Sequence, residues 1–582
     1  LLNEKKSSSL KQAASSFPKM KINHKFTIHF FLIVFLALHG CKSGSTNHTD
    51  QPIKDTIITS FDVKSNFVLD SLFFDSLAIT LPELITYSEQ ARRFYSNRDW
   101  SYAWFKEDGL REHAGFLFQF LQSARLEGIK DSLSILPTLS ERLSIYSVKD
   151  SLLQPDRMLE SMLTISFFWY ADKSWTGLPE EKSKAMSWFL PRMHIDKEEW
   201  LDSALVHSPD GSLLSKAVFR QYYWLRKQLV QYDSLSKGES WMPVAYPNKS
   251  LRYGDADSLL VAISKSLYLH GDLESADSST VYDSTLYTGV VRFQKRHGLT
   301  PDGVLGKKFY EALNVSVADR IEQILINMER SRWMPSDYPQ RYLIVNIPDF
   351  NLYAYENGIQ IWNMNVVVGK EIHETVSFSG EMKNVVFNPY WVVPTGILYN
   401  EIIPGIIKKP NYLSSHNMEM VNSSGKVITS SSVDWKKYTK SGFPYTIRQK
   451  PGTSNSLGKV KFLFPNSHSI YLHDTPSRSL FKEEKRAFSH GCIRVSDPEK
   501  LANYVLEPEG WTPERVTKAM LPGKESWVKL ENKLPVYIVY FTAWVETDGQ
   551  LHFRNDVYHR DEKLKNEMIP PTVVDSTAFT IQ

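Results

Sequence analysis

The reading turns on two short runs near the C-terminal third: Ile470-Tyr471-Leu472-His473-Asp474-Thr475-Pro476, and then Ser489-His490-Gly491-Cys492-Ile493-Arg494-Val495. A thiol is a weak nucleophile until it ionises. With an ordinary pKa near 8.5, about 3% is thiolate at neutral pH, so an imidazole that accepts its proton contributes directly to catalysis. Two histidines compete for that role. His490 is two residues before Cys492, which on a strand would put both side chains on one face. His473 closes a strand-like run nineteen positions earlier and could meet the cysteine across adjacent strands. Spacing alone does not choose between them. Gly491 lets the backbone turn tightly and present amide N–H groups to a developing oxyanion, on the order of 3 kcal/mol per donor. Arg494 supplies a fixed cationic fork suited to a carboxylate.

Working outward, the surrounding sequence is strand-like: Tyr342–Ile347, Leu352–Tyr355 before the Asn357-Gly358 turn, and Trp362–Val368 before Gly369. Residues 341–506 are therefore expected to form a β-rich catalytic domain. Residues 396–446 interrupt it with a Lys/Asn/Ser-rich stretch, and a long segment of this kind inside a domain is commonly a lid or binding loop. Upstream, 60–250 carries helical spacing rich in Leu and aromatics; Met158, Met162, Ile165 and Trp169 share one helix face after an Asp156 cap. Residues 251–316 show three short helical stripes: Leu260, Ile263 and Leu267; Leu286, Val290 and Phe293; and Leu305, Phe309 and Leu313 after the Asp302-Gly303 turn. A linking helix is expected over 317–340. In the C-terminal extension, 507–582, a strand Val536–Val545, an Asp548-Gly549 turn and a strand Leu551–Arg554 read as a hairpin.

The 582 residues exceed what one core supports, and 42% hydrophobic with 23% charged residues is ordinary for folded protein. A net charge of +3 without a long basic block gives no footprint for nucleic acid. Met20, Lys21, His24 and Lys25 followed by the apolar run Phe26–Leu38 read as an export signal, shorter than the ~20 residues of a spanning helix. Residues 1–19 are read as lying upstream of the true start. Leu38-His39-Gly40-Cys41 resembles a bacterial lipobox, which implies a lipid on Cys41, a flexible tether over 42–59 and a periplasmic protein held to an envelope membrane. The chain has two cysteines, so Cys492 is left without an intramolecular partner. No Cys-x2-Cys or His-x3-His pair suited to zinc occurs around His473, Asp474, His490 and Cys492, so no metal and no cofactor is expected. Nothing in the sequence bears on oligomeric state.

A His followed at this distance by Ser-His-Gly-Cys, a hydrophobic residue and Arg resembles the signature of the YkuD-type L,D-transpeptidase domain. The run Val291-Arg292-Phe293-Gln294-Lys295-Arg296-His297-Gly298-Leu299-Thr300-Pro301-Asp302-Gly303 is similar to the peptidoglycan-binding module found beside many cell-wall enzymes. Asn327-Met328-Glu329-Arg330, Val367-Val368-Gly369-Lys370, Phe387-Asn388-Pro389-Tyr390-Trp391, Arg448-Gln449-Lys450-Pro451-Gly452 and Phe464-Pro465-Asn466 resemble the large YcbB-like subgroup. The likeness covers about residues 60 to 560. It departs at Thr375-Val376-Ser377-Phe378, where the family usually has Pro after Thr, which bears on local loop shape.

The resemblance implies an α+β multidomain protein: a helical scaffold built from both chain ends, a three-helix peptidoglycan-binding module, and a catalytic domain with a capping subdomain. It implies Cys492 as nucleophile, His473 as base and the Asp474 backbone carbonyl as orienter of the imidazole. His490 and Gly491 would shape the site, and Arg494, Ser489, Tyr471 and Trp391 would contact the substrate. The implied partners are peptidoglycan stem peptides and glycan. The implied reaction releases D-Ala from a tetrapeptide stem, forms a thioester and makes a 3→3 cross-link. With water as acceptor the same site is an L,D-carboxypeptidase. Other thioester-based wall remodelling, or a non-catalytic wall-binding lipoprotein, are the remaining readings.

Overall fold

A computed structural model describes residues 65–73, 85–129, 133–146, 154–192, 194–207, 218–238, 241–335 and 337–568. The expected export signal, the expected lipid attachment at Cys41 and the expected tether over 42–59 lie outside the described residues. No helix among the described residues is long and apolar enough to cross a membrane.

The first unit is helical, with principal helices α1 (Ile85–Asn97), α2 (Arg157–Ala171) and α3 (Arg220–Ser236). Asp156 caps α2 by accepting hydrogen bonds from the amides of Met158 and Leu159. The helix that follows is buried on every side from Leu159 to Ala171, where the sequence spacing had pointed to a single apolar face. The buried Glu160 is satisfied internally, accepting from the Tyr95 hydroxyl at 2.7 Å and from the Trp104 amide at 3.0 Å. Ala543, Val545, Leu551 and Phe553, from near the other end of the chain, complete this core.

The second unit packs helices α4 (Leu259–Leu269), α5 (Ser284–Arg296) and α6 (Lys307–Leu313) around Leu260, Ile263, Leu267, Val290, Phe293, Leu305 and Phe309. It is docked on its neighbours. Arg296 pairs with the fully buried Asp272 at 2.6 Å and donates to the Leu551 carbonyl at 2.5 Å. Thr300 Oγ1 donates to Glu484 at 2.6 Å, joining this unit to the loop before Ala487–Ser489.

Helix α7 (Val317–Arg332) follows, with Ser316 capping the Asp319 amide. It ends at Arg332, short of the expected 340. Val317, Ile324 and Met328 enter the helical core while Ile326 enters the core of the β domain, so α7 is shared by both. Among its buried charges Arg332 pairs with Glu329 at 2.7 Å and Arg330 with Asp561 at 2.5 Å, while Arg320 donates to Gln323 at 2.8 Å and to the Ala312 carbonyl at 3.2 Å.

The β domain is one sheet that closes on itself. Its strands are β1 (Arg341–Asn346), β2 (Asn351–Glu356), β3 (Ile359–Gly369), β4 (Phe378–Phe387), β9 (Val460–Leu463), β10 (Leu472–His473), β11 (Ala487–Ser489), β12 (Ile493–Val495) and β13 (Ser526–Val539). The order is β11-β3-β12-β10-β9-β4-β13-β1-β2, and β2 returns to pair with β3. Helices α9 (Pro498–Leu506) and α10 (Pro513–Ala519) cover it, contributing Leu501, Leu506 and Val516 to its core.

The expected end of this domain at 506 is corrected, because β13 lies in the middle of the sheet, antiparallel to β4 and parallel to β1. The expected strand Val536–Val545 is two strands. Val536–Val539 stays in the closed sheet, while β14 (Ala543–Val545) pairs with β15 (Leu551–Phe553) inside the helical core. Between them the ladder is replaced by side-chain amides: Asn346 Oδ1 accepts from the Phe541 amide at 2.8 Å, and Asn327 Oδ1 from the Thr542 amide at 2.9 Å.

Between β4 and β9 the chain builds a cap. Its sheet contains β5 (Trp391–Val392), β6 (Met418–Val421), β7 (Val427–Ile428) and β8 (Thr446–Gln449), in the order β5-β8-β6-β7. Its own core includes Leu398, Ile402, Ile403, Ile406, Leu413, Met420 and Ile447, and α8 (Ile403–Lys408) lies within it. The framing strands carry the cap a few residues beyond the sequence-based bounds on each side.

Candidate active site

Parallel strands β10 and β12 are in register with Leu472 beside Ile493 and His473 beside Arg494. Alternation along each strand puts Tyr471 and His473 on the same face as Cys492 and Arg494. Cys492 and His473 are thus diagonal neighbours, a relation that spans about 7–8 Å between backbones. The Tyr471 and His473 rings are 5.7 Å apart.

The sulfur makes a 3.6 Å contact with the Ser469 carbonyl oxygen, towards which the thiol donates. Among the described residues it is not hydrogen-bonded to His473. Burial pushes the Cys492 thiol up, opposed by hydrogen bonding from the backbone and hydroxyl of Tyr471 and by the Arg494 charge. His473 is 4% exposed, and burial lowers its pKa to about 3, with the Arg494 and Lys461 charges adding to the effect. Its Nδ1 lies 2.6 Å from the Asp474 carbonyl oxygen. A neutral imidazole that donates from Nδ1 there keeps the Nε2 lone pair as the acceptor. These shifts favour a neutral thiol and a neutral imidazole at neutral pH.

The Asp474 carboxylate is structural. It accepts from the amides of Lys459 (2.8 Å) and Thr475 (2.6 Å) and pairs with Arg478.

Gly491 adopts φ +107°, a region open to glycine and strained for other residues. Ser489, expected to contact the substrate, is buried; its hydroxyl donates to the Cys492 carbonyl at 2.5 Å and accepts from the Gly491 amide at 3.1 Å. The Gly491 N–H is consequently engaged, whereas the His490 and Cys492 N–H groups have no hydrogen-bond partner among the described residues. His490 points away towards the cap, where its Nε2 lies 2.9 Å from Glu401 and its ring 5.0 Å from that of His373. Trp391 sits on β5, packed against the cap's apolar residues. The Arg494 Nε is buried without a hydrogen-bond partner.

Three residues that sequence reasoning passed over brace the loop. The Thr375 hydroxyl donates to the Gly491 carbonyl at 2.8 Å and accepts from the Gly369 amide at 2.9 Å. The Tyr558 hydroxyl donates to the Gly369 carbonyl at 2.5 Å and accepts from the Thr375 amide at 3.3 Å. Arg560 donates to the Thr375 carbonyl at 3.0 Å and pairs with Glu374 at 2.7 Å. The Thr375 run was visible as a departure from the family pattern, but nothing local in the sequence ties Tyr558 or Arg560 to it. Among the described residues no group of three or more His, Cys, Asp or Glu side chains is arranged to hold a metal.

Residues 340–538 match the model of the YkuD L,D-transpeptidase catalytic domain, residues 89–229 that of a scaffold domain, and residues 261–313 that of the "Putative peptidoglycan binding domain". A Haemophilus influenzae protein named "Putative L,D-transpeptidase" is 34% identical over 243 residues, which are 42% of this chain and 49% of that protein. The chain thus spans about half the length of that curated relative. Among solved structures, the L,D-transpeptidase from Mycobacterium smegmatis is 13% identical, with 34% of this chain and 58% of that chain covered and a TM-score of 0.17. The L,D-transpeptidase from Stackebrandtia nassauensis is also 13% identical, with 51% and 97% covered and a TM-score of 0.21. Superpositions this low add nothing to the sequence matches. On those matches, and with the closed sheet that presents Cys492 and His473 together, the chain carries a YkuD-type L,D-transpeptidase catalytic domain joined to a scaffold domain and a peptidoglycan-binding domain.

Proposed function

We propose that the protein is a peptidoglycan L,D-transpeptidase of the cell envelope that works through a thioester on Cys492. The observation that carries this reading is the shared face of β10 and β12, with a neutral His473 fixed by the Asp474 carbonyl diagonal to the thiol. His473 Nε2 takes the thiol proton, and the Cys492 sulfur attacks the carbonyl of the third, diamino-acid residue of a tetrapeptide stem. The Cys492 amide N–H donates to the oxyanion. The proton held on His473 passes to the departing amine of D-Ala as the peptide bond breaks, leaving a thioester. His473 then accepts a proton from an amine on the third residue of a neighbouring stem, whose nitrogen attacks the thioester. A 3→3 cross-link forms and the sulfur is released. Gly491 supplies the turn that presents the sulfur, Tyr471 supports the thiolate, and Arg494 offers its fork to a substrate carboxylate.

The lipobox reading of Cys41 would hold this chemistry at an envelope membrane, and the 261–313 module would bind the wall beside it. Incubation of the purified protein with disaccharide-tetrapeptide, with products read by mass spectrometry, tests the assignment. A 3→3 dimer with release of D-Ala is expected. Tripeptide without dimer would make the protein a carboxypeptidase, and an unchanged substrate would overturn both readings.

A further inference from the structure

One row of residues crosses the closed sheet through the candidate site. His473 is in register with Arg494 on β12 and with Lys461 on β9; Lys461 is in register with Val386 on β4, and Val386 with Trp527 on β13. Residues directly opposite across neighbouring strands project from the same face. His473 is therefore flanked by two cations, Arg494 towards the nucleophile and Lys461 on the far side, and an exposed indole ends the row.

Lys461 is a poorly compensated charge. Its side chain is 13% exposed, yet its nearest carboxylate, Glu525, is 3.9 Å from Nζ. Glu525 already accepts from the Tyr390 amide at 2.9 Å and from the Trp527 indole N–H at 3.2 Å. The remaining neighbours of the ammonium are the Tyr390 carbonyl at 3.5 Å and the Trp527 ring, centred 5.4 Å away. Burial lowers the Lys461 pKa, the mark of a cation that would be better stabilised by an anion in contact. Arg494 makes no ion pair among the described residues, and its Nε is buried unpartnered. Trp527 is 57% exposed despite standing in register with this row. An exposed aromatic face beside a half-compensated cation suits a ligand that brings both a carboxylate and aliphatic surface.

We propose that Lys461 and Trp527 form a second anchoring subsite that takes a carboxylate of the donor stem peptide on the side of His473 remote from Arg494, with Trp527 packing against the adjoining chain. The subsite rests on the transpeptidase reading for the identity of the ligand. A tetrapeptide stem offers this chemistry at its second residue, at the far end of a diamino third residue and at its terminal D-Ala, and donors amidated singly at each position separate these sources.

The test is equilibrium binding of tetrapeptide to the full-length chain carrying Cys492→Ala, measured by titration calorimetry, so that turnover plays no part. Adding Lys461→Gln is expected to weaken Kd by roughly ten-fold or more, and Lys461→Arg to restore most of the loss. One singly amidated donor should bind the Cys492→Ala protein about as weakly and lose nothing further on Lys461→Gln, while the other donors still discriminate. Trp527→Ala, a change at an exposed position, should also weaken Kd. Equal Kd with and without Lys461, equal loss for every amidated donor, or no binding of stem peptide to the Cys492→Ala protein would each overturn the subsite. Lys461-dependent binding with no acylation of the native Cys492 protein would leave the subsite standing and refute the transpeptidase reading alone.

Discussion

Replacing Thr375 with valine keeps the shape of the side chain and removes the hydroxyl that links Gly369 to Gly491. Thr375 is fully buried, and both glycines lie in buried backbone. The substitution leaves the Gly491 carbonyl and the Gly369 amide without partners, at about 1–3 kcal/mol each, so about 4 kcal/mol together. For a domain of this size that lowers the melting transition by roughly 10 °C. The kinetic consequence is sharper, because the Gly491 carbonyl immediately precedes the nucleophile, and a displacement of about 1 Å can cost a factor of about 100. Thr375→Val should therefore slow acylation of Cys492 by roughly 10- to 100-fold at saturating donor, read by intact-protein mass spectrometry, with little change in KM because Thr375 presents no surface to a ligand. Thr375→Ser, which keeps the oxygen, should recover most of the rate. Valine acylating at the wild-type rate, with an unchanged melting temperature, would refute the bracing role of the Thr375–Tyr558 network.

Gly491→Ala should abolish acylation, since alanine at φ +107° forces the loop to rearrange; an alanine variant acylated at the normal rate would refute that conformational requirement. Iodoacetamide should alkylate Cys492 slowly at pH 7.5 and faster as pH rises past 9, because burial holds the thiol up; rapid alkylation at neutral pH would reveal a preformed thiolate. His473, His270 and His552 each have a folded pKa of about 3, below the unfolded value, so the unfolded chain binds more protons below about pH 6.5 and stability falls as pH drops from there towards 3. Thermal melts should accordingly be highest above pH 7, and a melt independent of pH between 7 and 4 would contradict the buried neutral state of these rings. Arg296→Ala strands the buried Asp272 carboxylate and removes the bond to the Leu551 carbonyl, a loss of about 3–5 kcal/mol that should speed proteolytic release of a fragment containing residues 251–316; unchanged protease resistance would show that docking lies elsewhere.

Much of the local structure was legible because it is written in alternation and spacing. Leu260, Ile263 and Leu267, with Val290, Phe293, Leu305 and Phe309, were read as apolar stripes and form the module core. The strand character of Ile470–His473 and Ile493–Val495 was equally readable, and alternation alone puts Tyr471, His473, Cys492 and Arg494 on one face once the strands pair. The long-range partners were not readable. The Thr375 hydroxyl meets Gly491 across 116 residues and the Tyr558 hydroxyl meets Gly369 across 189, and no periodicity records such contacts. Lys461 had a local signal, a lysine between Val460 and Phe462 in an apolar strand, but its meaning needed the register with His473. The division of Val536–Val545 was hidden because both halves are apolar and strand-like. The amide side chains of Asn327 and Asn346, some two hundred residues upstream, break the ladder there. The hydrogen bond between the Gly491 amide and the Ser489 hydroxyl, which closes the loop on itself, was likewise not readable from the motif.

The most direct test of the central claim is to incubate the full-length protein with tetrapeptide stem, quench in acid and map the acyl adduct by peptide mass spectrometry. A tripeptide thioester on Cys492, formed with release of D-Ala, absent in Cys492→Ala and strongly slowed in His473→Gln, is the expected result. Product formation by the Cys492→Ala protein, or an adduct on any other residue, would contradict it.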